Sequence, residues 1–163
     1  MTGIDTATYR QVLGRFCTGV AVVTSLDADG APVGLTVGSF SSVSLDPPLV
    51  AFFVARTSTT FPAIAASGRF CANILGAGQD ELGMRFARSG GDKFAGVDWW
   101  SATTGAPVLS GSHGFVDCEI DTIDTFGDHH LVVGRVAELG AEETTDRPLV
   151  FYTSAFHQLR EVC

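Results

Sequence analysis

No glycine-rich Gly-x-Gly-x-x-Gly turn, no Walker phosphate loop and no Gly-x-Ser-x-Gly elbow occurs in this chain. The first absence removes a Rossmann dinucleotide fold, because the nearest match, Gly76 to Gly83, has the wrong spacing and no βαβ unit around it. The last removes the common serine hydrolases, which need that strained turn to present a nucleophile. Four cysteines (Cys17, Cys71, Cys118 and Cys163) stand far apart with no Cys-x-x-Cys pair, so neither a zinc site nor a disulfide framework is indicated. The first three read as buried free thiols and Cys163 as an exposed terminal one. Positive charge is also scarce. Ten Lys and Arg against 18 Asp and Glu leave a net charge of −8, which excludes a nucleic-acid binder that works by neutralising phosphates over a broad surface. No apolar run approaches the roughly 20 residues that cross a bilayer, and the start, MTGIDTATYRQ, lacks the basic and apolar regions of a signal peptide. The expectation is a cytoplasmic protein without membrane contact.

What is present is a full complement of core-forming residues. At 163 residues, 45% of them hydrophobic and 17% charged, the chain is the size of one domain, read here as residues 1–163, with enough apolar surface for a filled core or a buried subunit interface. Asp5 reads as the N-cap of an amphipathic helix carrying Tyr9, Val12, Leu13 and Phe16 at helical spacing. Residues 18–25 read as a buried strand, and a turn at Gly30 leads into a long strand from Pro32 to Leu45. Asp46-Pro47-Pro48 breaks the pattern before the apolar strand 49–55. A short helix ending at Gly68, a strand over 69–75 and a helix over 79–88 follow, the last with Leu82, Phe86 and Met84 facing inward. Residues 89–107 show no period, and irregular segments of that length tend to be functional. Residues 113–124 alternate, with Phe115, Asp117, Glu119 and Asp121 on one side and Val116, Cys118 and Ile120 on the other; a return strand 129–139, an acidic linker and a last strand 148–154 complete the chain. Six or seven strands on short connections, two or three helices and no βαβ alternation point to a mainly β, antiparallel barrel with peripheral helices.

The unusual stretch is Gly34–Phe52, GLTVGSFSSVSLDPPLVAF, with hydroxyls at Thr36, Ser39, Ser41, Ser42 and Ser44. Serine competes for backbone hydrogen bonds and is uncommon in strands. Its density here, beside Gly34 and Gly38 where a backbone can be approached closely, points to a surface for a polar, anionic ligand. A second cluster, Arg56-Thr57-Ser58-Thr59-Thr60, adds a fixed cation and hydroxyls, with Thr60 placed to cap the following helix. Lys93 and Phe94 in the irregular segment could neutralise a phosphate and cover a ring. His129 and His130 point to opposite faces of a strand, which argues against a shared metal. With no protein nucleophile in view, any chemistry falls to a bound cofactor.

These same segments, GLTVGSFSSVSLDPPLVAF, SGGDKFAGVDW and GDHHLVVGRV in that order, resemble the flavin reductase-like family, and within it the short NAD(P)H:flavin reductases of two-component monooxygenases. The resemblance runs from Phe16 to Leu159. It implies an FMN-binding split barrel, a Greek-key antiparallel barrel that forms homodimers. It also implies FAD or FMN as acceptor, NADH as the donor before NADPH, and a flavin-dependent monooxygenase as the partner receiving reduced flavin. Carried onto this chain it places Thr36, Val37, Ser39, Phe40, Ser41 and Ser42 along the ring and ribityl chain. Ala55, Arg56, Ser58 and Thr60 fall on the phosphate side, Lys93 and Phe94 close over the site, and His129 and Tyr152 lie toward the nicotinamide. His129 is the one side chain given a direct part in catalysis. Two neighbouring readings on the same barrel are a flavin binder without activity and a reductase of ferric or cobalamin substrates through retained FMN.

Overall fold

The computed structural model describes residues 3–143 and 147–159; Cys163 and the middle of the acidic linker lie outside them. In chain order the described elements are α1 (Thr6–Leu13), β1 (Thr18–Gly19), β2 (Ala21–Leu26), β3 (Pro32–Val37), β4 (Ser41–Leu45), β5 (Pro48–Ala55), α2 (Phe61–Ser67), β6 (Arg69–Ile74), α3 (Asp80–Ala87), β7 (Trp99–Ser101), β8 (Pro107–Leu109), β9 (Gly114–Phe126), β10 (His129–Ala141), β11 (Leu149–Tyr152) and β12 (Ala155–Gln158).

Seven of the strands form one antiparallel sheet in the order β3-β2-β6-β9-β10-β5-β4. Alternate apolar residues of β2 (Ala21, Val23), β5 (Val50, Phe52, Val54) and β6 (Phe70, Ala72) fall on a common inner face. Val23, Val50, Phe52, Phe70, Ala72, Cys118 and Val132 are buried there in one cluster, with α2 adding Phe61 and Ile64. Phe52 meets Phe70 edge to face at 5.1 Å between centroids. The inner face tolerates no extra atom beside them: a Cβ on Gly134 would lie 2.5 Å from Cζ of Phe70 and 2.9 Å from Cβ of Cys118. The β9–β10 ladder shifts register at that glycine, which bends the hairpin around the core.

Where a single strand is expected from Pro32 to Leu45, the chain instead breaks at Gly38–Phe40 and passes from β3 at one edge of the sheet to β4 at the other. Ser39 bridges the seam. Its hydroxyl donates to the carbonyl of Phe53 (3.1 Å) and accepts from the Phe53 amide (2.9 Å), replacing with a side chain the pair of bonds a ladder neighbour would make. The sheet closes into a barrel at this point.

The outer face of the sheet carries a second core. Val20, Val22, Leu75, Phe86, Leu109 and Leu149 are buried together under α3 and the irregular segment, with Phe94 and Trp99 packed against them. That segment is bolted down by two buried polar groups. The Asn73 side chain donates to Val22 O (3.1 Å) and Thr24 Oγ1 (3.0 Å) and accepts from the Leu109 amide (2.7 Å). Asp117 accepts from the amide (2.8 Å) and hydroxyl (2.6 Å) of Thr104. Asp117 therefore lies on the outer side of its strand, as the alternation predicts, yet it is fully buried because the β7–β8 hairpin covers it. The segment read as a functional loop serves in large part as the cover of a second core.

Several local expectations change with the tertiary structure. Asp5 caps α1 through the Thr8 amide at 2.9 Å, but α1 buries none of its residues in this chain. Cys17 is exposed, while Cys71 and Cys118 are buried. Met84 is exposed on α3 while Phe86 is buried, because the helix is covered along one stripe only. Thr60 occupies the N-cap position of α2 without capping it; the Ser58 hydroxyl receives the Phe61 amide at 3.2 Å. The strand read over 148–154 turns back at Thr153 and Ser154, both with positive φ, into β12.

Candidate functional site

At the seam end of the barrel the elements leave a cleft of about 610 Å³, within the roughly 300–1,000 Å³ of small-molecule sites. Its walls are the ends of β3 and β5, the Thr57–Thr60 loop, the exit of α3 from Phe86 to Ser89, and Lys93. Leu13 at the end of α1, Phe16 beyond it and Phe151 from β11 complete the lining. None of the lining residues is an Asp or a Glu, although the chain holds 18 of them. The cations Lys93 and Arg88 face it together with four consecutive hydroxyls. Phe16, Phe53 and Phe151, all exposed, line it as well. Cations and hydroxyls in one cleft with exposed rings suit a ligand that carries both an anionic group and a flat apolar body.

Lys93 holds the cationic end in place. Its ammonium donates to Gly34 O (3.1 Å), Phe86 O (3.3 Å) and Thr60 Oγ1 (3.5 Å), tying the loop to β3, α3 and the start of α2. Partial burial holds its pKa below the ordinary lysine value. Among the described residues no carboxylate stands at ion-pairing distance from it. The ammonium is thus hydrogen-bonded but not neutralised, which favours an incoming anion.

His129 enters the cleft from the first position of β10, while its neighbour His130 turns the other way and lies 5.3 Å from the Phe61 ring. Nδ1 of His129 sits 2.8 Å from the Asp128 carboxylate. That hydrogen bond and the attraction of the histidine hold the Asp128 pKa below the usual carboxylate range. With Asp128 on Nδ1, Nε2 remains for a ligand.

The structure gathers Thr36, Val37, Ser39, Ala55, Ser58, Thr60, Lys93 and His129 around this cleft. Two of them present backbone rather than hydroxyl to it, since the Thr36 hydroxyl donates to Gly83 O (2.6 Å) and that of Ser39 closes the seam. Gly34 and Gly38 admit protein: Cβ atoms there would meet Phe86 Cε1 and Thr18 Oγ1, each at 2.8 Å. The remaining expected residues do not line the cleft. Phe40 packs on the barrel core, and Ser41 and Ser42 are exposed on the edge strand β4. Arg56 reaches the Gly127 carbonyl at 3.5 Å and steadies the β9–β10 turn. Phe94 is edge to face with Phe86 at 4.9 Å in the outer core. Tyr152 lies beside His157, and Phe151, one residue earlier, faces the cleft instead. Arg88 and Ser89 were not singled out; a cation just past a helix and before the Gly90-Gly91 pair was the available signal.

Comparison with known proteins decides the kinship. The model of the family described as "Flavin reductase like domain" matches residues 13–160. The chain belongs to the flavin reductase-like family. A similar curated relative is the flavin-dependent monooxygenase reductase subunit HsaB of Rhodococcus jostii, 44% identical over 153 residues that cover 94% of this chain and 77% of the relative. The NADH:FMN oxidoreductase of Rhodococcus erythropolis is 41% identical over 161 residues, 96% of this chain and 83% of that one. Among solved structures, a nitrilotriacetate monooxygenase component B homologue from Mycobacterium thermoresistibile superposes with a TM-score of 0.92 at 43% identity, covering 96% of this chain and 87% of the other. The barrel described above is the split barrel of this flavin reductase-like family.

A flavin fits the cleft on its own chemistry. The exposed phenylalanines would suit a planar tricyclic ring, the β3 and β5 backbone its polar edges, and the Thr57–Thr60 hydroxyls with Lys93 and Arg88 its phosphate.

Proposed function

We propose that this chain is an NAD(P)H-dependent flavin reductase that delivers reduced flavin to a partner flavin-dependent monooxygenase. The observation that carries the reading is the carboxylate-free cleft, lined by two cations, a run of hydroxyls and exposed phenylalanines, in a strongly acidic chain. Bound flavin supplies the hydride-accepting ring, with NADH as the donor. The chain's own work is to orient and to stabilise charge. Backbone amides at Val37 and Ser39 would face the ring edge, where they would favour negative charge on the ring. Thr57, Ser58, Thr60, Lys93 and Arg88 would hold the phosphate, and Nε2 of His129 would be placed to hydrogen-bond at the nicotinamide side. No acid in the cleft opposes the anionic product.

The same reading makes the chain a single domain that works as a cytoplasmic homodimer. Supporting this, Tyr9, Val12 and Phe16 on and beyond α1 are 55%, 58% and 75% exposed, with Val43 and Leu45 uncovered on β4, an amount of apolar surface that a second subunit would cover. The test of the reductase is the oxidation of NADH and of NADPH with added FAD and FMN, followed by loss of the nicotinamide absorbance. A bound flavin that neither nicotinamide bleaches refutes it.

A further inference from the structure

A second cleft of about 280 Å³ opens beyond the phosphate end of the first. The two share the side chains of Thr59, Thr60 and Lys93, so the waist between them is the cationic, hydroxyl-lined spot itself. The second cleft is smaller than the roughly 300–1,000 Å³ of sites that take a whole ligand, and of a size to take part of one. Pro32, Val33, Ala63 and Phe94 give it apolar walls, and Gly90 and Gly91, both with positive φ, leave its outer lip free of side chains.

We propose that this second cleft receives the adenosine of FAD, with the diphosphate crossing the Lys93–Thr60 waist, and that the chain therefore binds FAD in preference to FMN. The proposal rests on the flavin reading of the larger cleft. FMN ends at its phosphate. FAD continues from that phosphate through a second one into adenosine, and the continuation leads into the second cleft. The waist suits two phosphates, because Lys93 has no carboxylate partner among the described residues and its three acceptors are neutral. Pro32, Val33, Ala63 and Phe94 offer a purine apolar contact. Asp92 sits at the rim with Oδ1 accepting from the Phe94 amide at 3.1 Å, which leaves Oδ2 to accept from a ribose hydroxyl. A nicotinamide dinucleotide carries the same adenosine, but it enters as a separate molecule, whereas the flavin phosphate is already at the waist.

The test is a titration of wild type and Ala63→Phe with FAD and with FMN, read by quenching of flavin fluorescence. Wild type is expected to bind FAD about tenfold more tightly than FMN, and Ala63→Phe to bring the ratio near one while moving the FMN Kd by less than about twofold. Pro32→Phe fills the cleft from its other wall, should Ala63→Phe fail to fold by circular dichroism. Independently of any variant, FAD carrying an azido group on its adenine should photolabel the peptide around Gly90–Phe94 or that around Thr59–Ala63. Equal affinities in wild type, a preference that survives in a folded variant, or a label elsewhere overturns the proposal. So does a rise in the NADH KM with the FAD to FMN ratio unchanged, which gives the cleft to the nicotinamide cofactor. A wild-type protein that binds neither flavin refutes the reading of the larger cleft, and this one with it.

Discussion

Replacing Lys93 by methionine keeps the length of the side chain and removes its charge, and the consequences separate the parts of the cleft. A phosphate about 4 Å from the ammonium is worth about 4 kcal/mol at an effective dielectric of 20. Solvent competes for a half-exposed anion, and Arg88 with the Thr57–Thr60 hydroxyls remains, so about half of that is expected to be lost. A loss of about 2 kcal/mol weakens FMN binding roughly thirtyfold. Riboflavin, which has the ring and ribityl chain without the phosphate, should change by no more than about threefold. Isothermal titration of both ligands at low salt gives the comparison, and the FMN difference should shrink at high salt. The pH dependence has a definite sign. Because burial lowers the Lys93 pKa, the unfolded chain holds the proton to higher pH than the ligand-free fold, and this group's contribution to stability rises with pH across that window. Phosphate binding runs the other way, since it needs the ammonium, and FMN affinity falls as Lys93 titrates below the ordinary lysine pKa. Equal losses for FMN and riboflavin, or no loss for either, would show that Lys93 serves only to tie the loop to Gly34 and Phe86.

Asp117→Asn turns an acceptor facing the Thr104 amide and hydroxyl into a mixed group in a fully buried position. It should cost about 2 kcal/mol, or about 4–8 °C in Tm for a chain of this size, with flavin affinity little changed. Gly134→Ala forces a methyl against Phe70 and Cys118, for a loss of about 1–3 kcal/mol in denaturant unfolding. Burial raises the thiol pKa of Cys71 and that of Cys118, the latter to about 12. In the native protein a maleimide should therefore modify the exposed Cys17 and leave those two until denaturant is added, as peptide masses will show. Val12→Glu places a charge on the uncovered face of α1 and should convert a dimer to monomer in sedimentation velocity; a wild type already monomeric would refute the homodimer.

The parts of this molecule that could be read in advance are those set by local pattern. The Val-rich runs of β2 and β5, the Asp5 cap and the helical spacing around Phe86 each follow from neighbours a few residues away. What could not be read is which surface a given face meets. Asp117 sits on the predicted side of β9 and is buried only because a distant hairpin folds over it. Phe94 belongs to the irregular segment that was expected to close over a ligand, and its nearest rings turn out to be Phe86 and Trp99. Around the cleft one misplacement is of parity, since Phe151 lines it rather than Tyr152; another is of element, since its second cation is Arg88 after α3 rather than Arg56 after β5. A strand exchanges faces with each residue, so a resemblance that places a segment correctly still leaves the side chain to be decided by packing. The serines divide because the chain leaves the cleft between them. Ser39 lies on the crossing and Ser41 beyond it on an exposed edge.

That crossing links the ligand to the folding of the whole barrel. The bonds that Ser39 makes to Phe53 close the sheet, and both residues line the cleft. A molecule seated there rests on the last joint of the cylinder and holds it shut. Each opening of the joint must first release the ligand, so the Phe53 amide should exchange with solvent more slowly by a factor of 1 + [L]/Kd when ligand is present. A reductase that gives up its flavin to a partner would, in the same step, loosen its own wall.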